Sequence, residues 1–447
     1  MASICHTQNS QIKPQRLGMA LSISVATLLI LFVPLLILGL SPSASAGPPQ
    51  GLVLPGALTA NAQLLTTGTY TVFLPLAFNN YRIPISCTPQ VWYTFSSFGS
   101  TPMGMAYDVT RTRLFVANHD GPGVGSLAVI NALTGQKIRV VDDVPDATGV
   151  AFDAARNRIY VAGGIRLTVV DGNNYAILQK IVVGVNEPAD ARGVAYNPTT
   201  DKIYVAGFNR GDNSITIVNA ATWSVITKIT DQEIVEPAYI AVNPVTNKVY
   251  VSNHAGGAPD GTVTVIDGVT NQISKTIYLA GDLYGIAVDS VHNRVYVSSI
   301  SAARLYVING ATDTLVGDVR IWNTSLDRPM PLRMVAVNPS AGSDVHLWLT
   351  SSSGDMWGRD RLLLLSGDWL TTGEPLAAAI APSPEGGLLF DPASRYIFAS
   401  NTSSNLVTVS QDSTSLCMSP LSVSANDVDP ERLRVIVNDY RQPQAGR

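Results

Sequence analysis

Residues Gly193–Gly207 read GVAYNPTTDKIYVAG, a stretch whose Asp, Lys and Tyr suit either a site or a repeated structural word. Two further stretches decide between them. Tyr239–Asn253 reads YIAVNPVTNKVYVSN, and Gly285–Ser299 reads GIAVDSVHNRVYVSS. The unit to explain is a repeat, and self-similarity at a fixed period takes precedence over any motif inside it.

Aligning on the opening residue gives anchors at Gly104, Gly149, Gly193, Tyr239, Gly285, Met334 and Gly387, spaced 45, 44, 46, 46, 49 and 53 residues apart. Periods of this length without helical periodicity suit four-stranded propeller blades. The first strand of each copy (GVAY, YIAV, GIAV) is apolar on both faces, as a sheet sandwiched between neighbours requires. An Asn or Asp follows, often with Pro, as in Asn197-Pro198, Asn243-Pro244, Asn338-Pro339 and Asp391-Pro392. The Asx side chain bonds local backbone there, and Pro presets φ for the turn. The second strand is the most regular word: LFVAN (114–118), IYVAG (159–163 and 203–207), VYVSN (249–253), VYVSS (295–299) and IFASN (397–401), decaying to LWLTS (347–351) in the sixth copy. The third strand ends in Asp171-Gly172, Asp267-Gly268 or Asn309-Gly310, which suit hairpins needing positive φ. The fourth is looser and half wet, as in SVITKI (224–229).

The seventh copy supplies only three strands, ending at LVTVS (406–410), while VWYTFSSF (91–98) stands before the first anchor as a strand without a blade. The expected fold is therefore all-β: a seven-bladed β-propeller of four-stranded antiparallel blades. An N-terminal strand completes blade seven and removes the open edge. An apolar opening, an Asn/Asp-Pro turn, YV[AST]N and VID together resemble the YVTN family of propeller repeats over about Val91 to Cys417. The sixth copy departs from it, where HLWLT and an insertion carrying Trp357 and Trp369 replace the signature. The resemblance implies the seven-bladed fold and, most often, surface-layer and envelope proteins. It implies little about activity, because propellers host many functions.

The rest of the chain frames this domain. Of 447 residues only 14% are charged, with a net charge of −4, so nothing suggests the basic face that nucleic acid needs. Lys13 and Arg16 precede an apolar run from Leu17 to Leu40 and an Ala44-Ser45-Ala46 triplet. These features give residues 1–46 as a cleaved signal peptide or a retained membrane anchor, and in both cases an exported protein. Residues 47–86 read as a linker, 87–417 as the propeller and 418–447 as a charged tail. Export keeps disulfides, and Cys87 and Cys417 flank the strands that close blade seven, so a Cys87–Cys417 bond is expected.

Familiar chemistry is missing from the sequence. Three cysteines allow neither a c-type haem attachment nor a thiolate zinc site, and there is no H-E-x-x-H, G-x-x-x-x-G-K-[ST] or G-x-S-x-G. Gly121–Gly125 (GPGVG) reads as a long turn between strands. His119 and His254 follow the second-strand word in blades one and four, too far apart around a ring to share a metal. The recurring Asp residues occupy turn slots, and Asp427 and Asp429 lack the rest of a calcium loop. No metal, cofactor or catalytic residue is expected.

What remains is the channel mouth. The residues preceding each anchor are Met103, Thr148, Arg192, Ala238, Tyr284, Arg333 and Gly386, and most are small or neutral. Arg192, Tyr284 and Arg333 break the pattern as a candidate anion site, unless Asp190, Asp282 and Glu385 in the same loops pair with the arginines. Two function classes follow. One is an exported binding or scaffold protein that shows its loops and channel mouth to a protein partner or a small anion. The alternative is a propeller enzyme of lactonase-like or quinoprotein-like type, which needs a charged or metal-binding constellation that the sequence lacks.

Overall fold

The computed structural model describes residues 91–184, 191–208, 213–254, 259–323, 328–339, 345–351, 361–365, 376–379, 384 and 386–412, and a short hairpin within 52–60. Residues 1–46, read as a targeting segment, Cys87, Cys417, Trp357, Trp369 and the tail lie outside these residues. The chain divides into a compact unit Thr88–Ser413 and a second unit of Met1–Cys87 with Thr414–Arg447. In the second unit the described element is that hairpin, Leu52–Leu54 paired with Leu58–Ala60.

The Thr88–Ser413 unit is a seven-bladed β-propeller. Each blade is a four-stranded antiparallel sheet, and the first strands neighbour one another in turn around the ring, from blade one through blade seven and back to blade one. In blade three these strands are Ala191–Asn197, Lys202–Gly207, Ser214–Asn219 and Val225–Thr230, innermost first. Second strands are buried on both faces, as sheets stacked between sheets must be. Their second position carries Phe115, Tyr160, Tyr204, Tyr250, Tyr296, Trp348 and Phe398, all fully buried. The sixth copy thus keeps the aromatic slot under its altered spelling. Outer strands are half wet, with Val225 and Ile226 exposed.

Blade seven closes as the sequence requires. Val91–Ser96 pairs with Leu406–Gln411 in the register Val91↔Ser410, Tyr93↔Val409 and Phe95↔Val407, forming the outer strand of the order closed by Gly387–Phe390. The expected long turn at Gly121–Gly125 is instead a tight hairpin, because Arg113–Gly121 and Val124–Asn131 run on until Gly121 pairs with Val124. Gly123 permits this with φ 73°.

The polar residues of the opening stretch are clamps between blades. Asn197 Oδ1 caps its own turn by accepting from Thr199 N, while its Nδ2 donates to Asn247 Oδ1 of blade four at 2.8 Å. Asn243 Nδ2 repeats the bond to Asn293 Oδ1 of blade five at 2.7 Å. Asn247 and Asn293 sit at φ 52° and 51°, a region Asx tolerates better than most residues. Asp201 receives both guanidinium nitrogens of Arg156 from blade two at 2.7 Å. Lys202 Nζ donates to Gly268 O, Val269 O and Asn271 Oδ1 of blade four. These residues hold blades together.

Between blades six and seven the clamp is different. His346, expected only as part of a degenerate strand, is buried against Asp412 with Nδ1 3.1 Å from Oδ1, and Asn338 Nδ2 donates to the same carboxylate. Burial pushes the Asp412 carboxyl up, but His346 and Asn338 outweigh it and leave it below its ordinary range.

Candidate functional site at the channel mouth

The anchor glycines are explained by space. A methyl built on Gly104, Gly193 or Gly285 would lie 2.6, 2.7 and 2.7 Å from Thr148 O, Ala238 O and Arg333 O of the following blade, and one on Gly149 would overlap Arg192 O. Neighbouring innermost strands approach too closely there for any side chain. Hydroxyls tie the same seam: Ser252 Oγ donates to Tyr284 O, Ser298 Oγ to Arg333 O, Thr148 Oγ1 to Ala191 O, and Ser400 Oγ to Met103 O. The backbone beneath Arg192, Tyr284 and Arg333 is therefore held from the preceding blades.

Tyr239 stands where five blades carry glycine, and it decides the shape of the channel. Its hydroxyl lies 3.4 Å from Gly386 O of blade seven, to which it donates, so the side chain spans from blade four across the ring. Its ring meets Tyr284 of blade five edge to face, with centroids 5.0 Å apart at 60°. Burial pushes the Tyr239 phenol well above its ordinary value and Tyr284 adds to the rise, while the charges of Arg192 and Arg333 pull it back. Arginines from blades three and six thus act on one phenol. Tyr239 is the link among the three: it packs on Tyr284, and both arginines act on its phenol.

An aromatic series links the two arginines. The Arg192 guanidinium lies 3.7 Å from the centroid of Phe208. Phe208 meets His254 at 6.0 Å, His254 meets Tyr284 at 6.4 Å, and Arg333 lies 5.5 Å from the Tyr284 centroid. Both arginines make further interactions besides these. Of the carboxylates read as their partners, Asp190 and Glu385 lie outside the described residues. Asp282 faces His254 instead, with its Oδ1 3.9 Å from Nδ1, and Glu236 Oε2 lies 3.4 Å from the same nitrogen.

His119 and His254 do occupy equivalent places, each backbone N–H bonding a carbonyl before its own first strand (Thr101 O and Glu236 O). They remain on separate blades. Among the described residues no group of three His, Cys, Asp or Glu could hold a metal ion, and no helix is long and apolar enough to cross a membrane. A cavity between blades two and three, lined by Gly164, Val183 and Thr216, holds about 10 Å³, the threshold for a single water.

Sequence reading missed Tyr239, Phe208 and His254 as members of the mouth. For Tyr239 the signal was present, a bulky residue in a glycine column. Phe208 and His254 share the column just after the second-strand word, but only the ring geometry turns neighbouring blades' residues toward each other.

No family model matches the chain, and no curated protein matches it. Among solved structures 1451 chains match, too broad a set for the fold to select a function. One is hydrazine synthase of Kuenenia stuttgartiensis, with a TM-score of 0.59 and 14% identity over 74% of this chain and 98% of that one. The likeness is one of fold. The propeller is shared; an activity is not thereby shared.

Proposed function

We propose that this is an exported, non-catalytic binding protein built from YVTN-type repeats, whose channel mouth takes a small anionic ligand between Arg192 and Arg333. Tyr284 donates a hydrogen bond to that ligand, while the Tyr239 hydroxyl stays on Gly386 O. The observation that carries the reading is that the charges of Arg192 and Arg333, from blades three and six, both act on the Tyr239 phenol, with the Arg333 guanidinium 5.5 Å from the Tyr284 centroid. An anion placed between two guanidiniums is stabilised by both charges, and guanidinium forks suit carboxylate or phosphate oxygens. The hydroxyls nearest the mouth, Ser252 and Ser298, are engaged as clamps on main-chain carbonyls, which favours binding over nucleophilic chemistry. Calorimetry with a panel of small anions is expected to show binding to the wild type and a loss of about tenfold or more in Arg192→Ala/Arg333→Ala, since each charge-assisted bond contributes about 1.5–3 kcal/mol. Equal affinity in both proteins sinks the reading.

Export rests on the basic, apolar and small-residue order of residues 1–46, and it carries a covalent consequence. The exported protein is expected to hold Cys87–Cys417, closing a loop of about 330 residues that contributes about 5 kcal/mol in the chain-entropy account. Non-reducing peptide mapping checks this, and recovery of both thiols free rules the bond out.

A further inference from the structure

We infer that Tyr239 is a brace across the ring, and that it couples blade four directly to the blade that closes the chain. A repeat array is held chiefly by contacts between neighbours, so a disturbance in one unit reaches a distant one through those between. Among the described residues, the other side-chain bonds between blades follow that rule. Lys202 reaches blade four from blade three, Ser298 reaches blade six from blade five, and Ser400 reaches blade one from blade seven. The Tyr239 hydroxyl skips two blades. It leaves blade four and donates to Gly386 O at the start of blade seven, 147 residues away in the chain.

Packing carries the same link. Tyr239 lies against the core cluster of blades four and five that includes Val263, Leu283 and Ile286. It lies equally against the cluster that includes Trp348 of blade six and Leu388 and Ile397 of blade seven. The bonded carbonyl stands at the seam where the two ends of the propeller chain meet. A methyl on Gly386 would come within 2.3 Å of Pro102 O and 2.7 Å of Met103 Cα in blade one, so Gly386 is wedged between blades seven and one. Burial raises the Tyr239 phenol well above its ordinary value, which keeps the hydroxyl protonated and donating at neutral pH.

The test is native-state hydrogen exchange, read by mass spectrometry, on the wild-type protein, Tyr239→Phe, Tyr239→Gly and Val251→Ala. Tyr239→Gly installs the residue that five blades carry at this position. Val251 is buried in the core of blades three and four, so Val251→Ala loosens that side of the ring without touching the brace. In Tyr239→Gly the amides of Gly387–Phe390 and Leu406–Gln411 in blade seven should exchange about tenfold faster, the scale of one buried hydrogen bond and one aromatic pair together. Arg158–Gly163 of blade two should change less. Tyr239→Phe removes only the hydroxyl and should speed exchange in Gly387–Phe390 about threefold, the scale of one hydrogen bond. In Val251→Ala the faster exchange should fall in blades three and four. The inference is overturned if Tyr239→Gly loosens blade seven no more than Val251→Ala does. It is overturned equally if Tyr239→Phe leaves blade seven as in the wild type. No ligand enters these measurements, so their outcome is independent of the anion site.

Discussion

A chain beginning at Gly99 is expected to be less stable than one beginning at Ser86 by about 5 kcal/mol or more, the scale of several large side chains returned to water. With Cys87→Ser in the longer chain, so that no disulfide separates the two, the residues that matter are those of the strand Val91–Ser96 and its exit. Tyr93, Phe95 and Phe98 pack on the core shared by blades seven and one, against Leu114, Val116, Ile130, Phe398 and Val407. Tyr93 Oη donates to Ala132 O of blade one at 3.2 Å, and Asn118 Nδ2 donates to Ser97 O at 3.2 Å. Without this strand Leu406–Gln411 becomes an open edge, a template for pairing with another chain. Chemical denaturation of the two truncations, with light scattering for association, reads both effects. Coincident unfolding midpoints and a monodisperse shorter chain refute the strand's role in closure.

Gly149→Ala is the second large effect, expected to cost about 3 kcal/mol, the upper part of the ordinary range for overpacking. A single methyl suffices because it overlaps the Arg192 carbonyl oxygen, and that carbonyl belongs to an innermost strand with little freedom to retreat. Thr148 Oγ1 donates to Ala191 O one residue away, so the strands cannot part there without losing that bond. The melting temperature should fall by roughly 4 °C for a unit of this size. Val291→Ala, at an exposed turn position, serves as the control and should change stability by no more than about 0.5 kcal/mol. Moving the backbone of Arg192 also shifts its guanidinium, so anion affinity should fall together with stability. A variant as stable as the control shows that the seam can yield.

Both expectations show how unevenly this protein is written in its sequence. The blade was legible because its signals are local and recur: an apolar pair of faces, an Asx turn and a fully buried aromatic word. The Asp-Gly and Asn-Gly pairs marked the third hairpin but not its left-handed residue, which is Tyr175, Asn271 or Asp313, three positions after the glycine and not the glycine itself. Even the altered sixth copy follows the rule, since Trp348 fills the slot held by Tyr296 in the blade before it. The strand that closes blade seven was legible by subtraction, three strands at one end and one at the other. The clamps were legible only as residue types. Asp201 and Lys202 were visible as charges in a turn, but their partners, Arg156 and the hairpin at Gly268–Asn271, come from the blades on either side.

The sequence by itself determined the repeat, the blade count and the way the ring closes, because strand period, turn chemistry and burial on two faces are properties of neighbouring residues. It also singled out Arg192, Tyr284 and Arg333, as departures from an otherwise small column. Only the tertiary structure decided that Tyr239 crosses the channel to Gly386, that Phe208 and His254 join the arginines into one wall, and that Asp282 turns to His254. Those relations depend on side chains from different blades meeting near a common axis. A residue's place in its repeat fixes its height along that axis; which residues it meets there follows from closing the ring.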